Sequence, residues 1–132
     1  MVVRLSPTVR FLQQRIDMRQ LTAESDAGIF NGSNGAVYAM LMAGKPVFNI
    51  PRYVEQVIYS ERVNALGAGL SALPSRPERI GSRLVTLLNE PRFAKAAQAF
   101  AAKHEDFSPE TGLQRIVRRA NNVLAAASIG KT

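Results

Sequence analysis

The 132-residue chain contains no cysteine. Disulfides and thiolate-bound metals are therefore excluded. It has a single histidine, His104, set between Lys103 and Glu105 in an alanine-rich stretch. That placement reads as a surface histidine, and neither a Ser/His/Asp relay nor a metal-ligand set at recognisable spacing is present. No metal or cofactor is expected. No apolar run approaches the ~18 residues that span a bilayer. The opening MVVRLSPTVR lacks the apolar segment of a signal peptide, so a cytoplasmic location is expected. Linkers, internal repeats and low-complexity tracts are also missing.

Acidic residues are few, 10 against 17 Lys and Arg, which leaves a formal charge of +7. Such a balance suits nucleic acid, an anionic membrane face or a phosphorylated ligand. The cations are mostly single arginines spread along the chain, and the densest group is Arg115, Arg118 and Arg119. Without a basic run or interleaved aromatics this reads as a solvated helix face, and nucleic acid is not an expected partner.

What remains is globular: 46% hydrophobic and 20% charged residues, enough chain for one domain spanning residues 1–132. VVRL at residues 2–5 reads as a short strand, and residues 11–17 are ambiguous between strand and helix. Residues 19–24 form a helical turn. AGIF (27–30) and PVFNIP (46–51) are short apolar runs bounded by turn residues, the pattern of strands buried on both faces. AGLSAL (68–73) is a third. Helices are expected over 36–43, ended by Gly44, and over 54–66, stopped by Gly67. Another follows Ser75 as N-cap and Pro77, running to about Asn89. Two more cover 91–105 and 113–127. Strands alternating with helices imply parallel pairing. The expected fold is α/β: a partial doubly wound, Rossmann-like parallel sheet of three to five strands, flanking helices and a helical C-terminal tail. It looks like the second half of such a domain, with one sheet edge left exposed.

FNGSNGAVYAMLMAGKP, from Phe30 to Pro46, carries the strongest functional signal. The stretch NGSNG lies at the carboxyl end of AGIF and opens the next helix. Ligands of open parallel sheets sit at that rim. Free backbone N–H groups and the helix dipole make an anion site there without side-chain charge. Gly32 and Gly35 let an oxygen approach the backbone, and Asn31, Ser33 and Asn34 add donors. A purely structural tight turn explains the glycines equally well. After PVFNIP comes Glu55-Gln56, a carboxylate and amide suited to a diol, or simply an acid in a helix first turn.

Residues 17–88 resemble the nucleotide-sugar-binding half of GT-B glycosyltransferases, in the group of UDP-glucuronosyltransferases and bacterial antibiotic or glycolipid glycosyltransferases. The matching residues are Asp26, Gly32, Gly35, Ala43-Gly44, Pro46, Pro51, Glu55-Gln56 and Gly67-Ala68-Gly69. The resemblance implies that Asn31, Gly32, Ser33, Asn34 and Gly35 face the donor diphosphate and that Glu55 and Gln56 meet the donor sugar. It also implies departures. Asn31 replaces a histidine that contacts the diphosphate, Ser33 a glycine, Ala36 a hydroxyl residue and Ala39 a ribose-binding glutamate. Asn31 donates a hydrogen bond but carries no charge to offset the leaving diphosphate.

The implied function is the donor-binding part of a glycosyltransferase acting on a UDP- or TDP-sugar, incomplete and inactive without an acceptor-binding domain. That domain would be N-terminal or a partner chain. The alternative is a degenerate, non-catalytic domain kept for protein–protein association, including a homodimer through the exposed sheet edge.

Overall fold

The computed structural model describes residues 8, 9 and 12–129. The expected strand VVRL lies outside the described residues. The segment 12–17 is irregular, and Asp17 then caps α1 (Met18–Glu24) by accepting the Arg19 N–H at 2.8 Å. The remaining order is β1 (Gly28–Phe30), α2 (Asn34–Met42), β2 (Val47–Asn49), α3 (Val54–Ala65), β3 (Gly69–Ser71), α4 (Glu78–Asn89), α5 (Pro91–Lys103) and α6 (Pro109–Ile129).

The three strands form one parallel sheet in the order β1–β2–β3. The register aligns Gly28, Val47 and Gly69, then Ile29, Phe48 and Leu70, then Phe30, Asn49 and Ser71. Because side chains alternate along each strand, the first and third rows share one face and the middle row the other. On the first face Val47 packs with Val37, Met40 and Leu41 of α2 and Val63 of α3. On the second, Phe48 packs with Leu87 of α4 and Phe93 of α5. Phe48 is fully buried, worth about 1.5–3 kcal/mol of stabilisation. Helices thus cover both faces of a parallel α/β sheet with a helical C-terminal region, as the sequence predicts.

α5 closes the amino ends of the strands. Gly44 and Gly67 end α2 and α3 with φ of 71° each, and a Cβ on them would face Gln98 and Ala96 of α5. The left-handed conformation expected of Gly44 is present, and it turns the chain back into β2. The carboxyl ends of the strands, on the opposite rim, carry the exposed loops.

Four expectations need correction. AGIF is buried on one face only: Ile29 is 55% exposed, because α4 and α5 cover its register partners Phe48 and Leu70 and stop short of β1. α2 begins at Asn34, two residues before the expected start, so its first turn includes Gly35. Ser75 is not the cap of α4. The chain first makes a tight turn, with Arg76 N–H donating to Leu73 O, and the helix starts at Glu78, beyond reach of Ser75. α6 begins at Pro109, since Ser108 and Thr111 bond reciprocally through side chain and backbone and seed the first turn.

The side chains of residues 113–127 of α6 are all exposed, including an apolar stripe of Leu113, Ile116, Val117, Val123 and Leu124. No helix among the described residues is long and apolar enough to cross a membrane.

Candidate functional site

β1 delivers the chain to the carboxyl rim at Phe30, whose carbonyl accepts the Ile50 N–H at 2.7 Å. The turn after β1 and the loop after β2 therefore stand side by side. Asn31 folds back on the turn: its Oδ1 accepts the Ser33 N–H at 3.0 Å. Gly32 follows with φ of 84°, a left-handed conformation that glycine adopts without strain. It is also pressed onto α3. A Cβ at Gly32 would lie 2.9 Å from Ser60 Oγ and 3.0 Å from the Gln56 carbonyl. Ser60 Oγ in turn donates to that Gln56 carbonyl at 2.7 Å.

Ser33 is the N-cap residue of α2 but makes no side-chain capping bond. The N–H groups of Asn34, Gly35 and Ala36 open the helix, where no intrahelical acceptor exists. No acidic residue stands in this first turn, so the positive end of the helix dipole is uncompensated from within the helix. Asn31, Ser33, Asn34 and Gly35 are exposed, and the space where a Gly35 Cβ would sit is open.

Across the turn, Gln56 is half-buried and its Oε1 accepts the Arg52 N–H at 2.9 Å. That bond ties the loop after β2 to the first turn of α3 and leaves the Nε2 donors uncommitted among the described residues. Glu55 is exposed and has no hydrogen-bond or ion-pair partner among the described residues. The structure thus brings Gly32 against Gln56, with Ser60 behind them. It also gives both Asn31 and Gln56 local hydrogen bonds.

Other side chains take the roles expected from their surroundings. Met40 and Phe48 are core residues, and Phe30 packs against the α2 cluster. Tyr53 is exposed and lines an apolar groove with Pro51, Val57 and Leu73. Tyr59 instead packs against the core, and burial, with Tyr38 nearby, pushes its phenol above the usual tyrosine range. His104 caps α5 at its C-terminus, its ring centroid 4.5 Å from that of Phe100. No cluster of three His, Asp or Glu able to hold a metal occurs among the described residues.

Sequence reasoning missed Ser60, which backs the turn, and three arginines in the neighbouring cleft, Arg76, Arg79 and Arg83. Their spacing at i, i+3 and i+7 was the available signal.

The parallel sheet with its loops at the carboxyl rim is an α/β arrangement, and comparison with known proteins finds it among glycosyltransferases. UDP-sugar-dependent glycosyltransferase 52 of Dictyostelium discoideum is 29% identical over 89 residues, covering 65% of this chain and 5% of its own length. Glycosyltransferase GtfC of Amycolatopsis orientalis is 34% identical over 61 residues, covering 46% of this chain and 15% of its own. Among solved structures, the spinosyn forosaminyltransferase SpnP superposes with a TM-score of 0.77 at 24% identity, over 95% of this chain and 33% of its own. The spinosyn rhamnosyltransferase SpnG complexed with thymidine diphosphate gives 0.61 at 26%, over 70% and 26%. No family model matches. The chain is similar to GT-B glycosyltransferases in sequence and fold, and it spans a small part of the curated relatives and about a third or less of the solved enzymes.

Proposed function

We propose that this chain is the donor-binding part of a glycosyltransferase, the second half of its nucleotide-sugar domain. The observation that carries the reading is the NGSNG turn. Its backbone is held by Gly32 against α3, and the first N–H groups of α2 are left open at the carboxyl rim. The diphosphate of a UDP- or TDP-sugar would accept from Asn34, Gly35 and Ala36 N–H, with the Ser33 and Asn34 side chains adding donors. The Glu55 carboxylate and Gln56 Nε2 would take the sugar hydroxyls. SpnG was solved with thymidine diphosphate, which supports the nucleotide class. Asn31 is neutral, so charge on a leaving diphosphate goes uncompensated at this position. Binding is therefore weak, and transfer awaits an acceptor-binding domain or partner chain. A cytoplasmic location goes with this reading.

Calorimetry with UDP-glucose and TDP-glucose tests it. Saturable binding that is lost in Glu55→Ala supports the proposal. A folded chain that binds neither nucleotide sugar nor free UDP sinks it.

A second reading is favoured by one feature. β1 pairs with β2 alone in the described sheet, and Ile29 beside its open edge is uncovered. That edge suits association with another chain or a second copy, with the altered Asn31, Ala36 and Ala39 marking a retired donor site. Sedimentation across a concentration series distinguishes a dimer from a monomer.

A further inference from the structure

We infer that the cleft between α3 and α4 is a binding site for a small phosphorylated molecule, separate from the turn after β1. Three arginines line it. Arg76 stands in the turn before α4, Arg79 in its first turn and Arg83 one turn further along the same face. They line a cavity of about 360 Å³ together with Ser60 and Glu61 of α3 and Ser71 of β3.

One of the three cations is fixed in place. Arg83 Nη1 donates to the Ser71 carbonyl, on the outer side of the edge strand β3. The Ser71 hydroxyl accepts from Asn64 Nδ2 at 2.8 Å, which leaves its own proton free to donate. Arg76 and Arg79 have no carboxylate partner among the described residues, and Glu61, the one acid of the lining, has no cationic one. Three arginines against one glutamate leave an excess of two positive charges on one small cavity. A dianion bound among these donors accepts charge-assisted hydrogen bonds, which are stronger than neutral ones. A phosphate monoester carries that charge and presents three acceptor oxygens to forked donors.

The cavity is also larger than a phosphate needs. Its remaining walls are Pro51, Val57, Ala72 and Leu73, an apolar seat for the organic part of the ligand. The site opens on the same rim as the NGSNG turn, with Ser60 between them: its hydroxyl lies under Gly32, and the residue also lines the cleft.

The test is an NMR titration of the arginine Nε–H and backbone amide signals with glucose 6-phosphate and with inorganic phosphate. Ionic strength is held constant, with chloride as control. Saturable shifts are expected at Arg76, Arg79 and Arg83, at least tenfold tighter for the sugar phosphate than for inorganic phosphate. They are expected to weaken at least tenfold in Arg76→Gln/Arg79→Gln. Both positions are exposed, so the variant should keep its melting temperature. Shifts that never saturate, that chloride reproduces, that survive in the double variant, or that fall on the Asn34–Ala36 amides instead overturn the inference.

Discussion

Gly32 and Ser60 touch in a way that admits no side chain: a Cβ on Gly32 would meet Ser60 Oγ at 2.9 Å. The turn at the end of β1 is therefore packed directly onto the middle of α3. Gly32→Val adds both this clash and a strained left-handed φ, which starts from 84°. It is expected to cost about 1–3 kcal/mol from backbone strain alone, with a lower urea midpoint. Gly35→Ala, facing open space, should leave that midpoint close to wild type.

Gly69 is pressed against the backbone of the neighbouring strand. A Cβ there would lie 2.5 Å from the Val47 carbonyl and 2.8 Å from Val63 Cγ1. Backbone cannot move aside as a flexible side chain can. Gly69→Ala should lose about 1–3 kcal/mol as an overpacking change, read by thermal melting.

Asn49 behaves in the opposite sense. It is fully buried at the end of β2, and neither of its amide atoms has a protein partner. Burying an unpaired amide costs roughly 1–3 kcal/mol. Asn49→Leu, of similar volume, is expected to hold or raise the melting temperature. A fall of several degrees would show that the amide is satisfied in solution.

Tyr59 sets an alkaline limit. Its phenol is raised by burial first and by Tyr38 second, so the folded state favours the protonated form. The stabilisation is present below the unfolded value of about 10 and is lost as pH rises through the raised folded value. Melting temperatures should fall over that interval, and less so in Tyr59→Phe.

Ser108→Ala should fray α6 and cost about 1 kcal/mol as a lost cap. Glu110, in the same turn, is held below the usual carboxylate range by its own backbone N–H and then by Ser108. Its contribution is present above the unfolded value of about 4.3 and disappears as pH falls through the lowered one. Circular dichroism of the helix signal in acid measures both effects.

Elements whose evidence is local were legible from the sequence. PVFNIP reads as a buried strand because three of the four residues between its prolines are apolar, and Val47, Phe48 and Asn49 are indeed all buried. Gly44 announces the end of α2 because few other residues take its φ. Ile29 looked the same as Phe48 on paper. Its exposure depends on where α4 and α5 stop, and that is a property of the packed chain. Ser75 fitted the capping pattern, yet a turn fixed by the Leu73 carbonyl intervenes. At the candidate site, glycine spacing marked the turn after β1. Nothing in the sequence showed that Asn31 and Gln56 spend their side-chain oxygens on nearby backbone. Arg76, Arg79 and Arg83 have a readable spacing, but the Ser71 carbonyl that holds Arg83 is supplied by a different element.

The uncovered Ile29, beside the edge of β1 that is unpaired among the described residues, turns thermal stability into a gauge of company. Anything that docks on that edge binds the folded chain and not the unfolded one. By mass action it raises apparent stability by about 2.7 kcal/mol at a hundredfold excess over its dissociation constant. A melting curve recorded with each prospective companion, or at rising concentrations of the chain itself, then ranks what belongs there without any assay of sugar transfer.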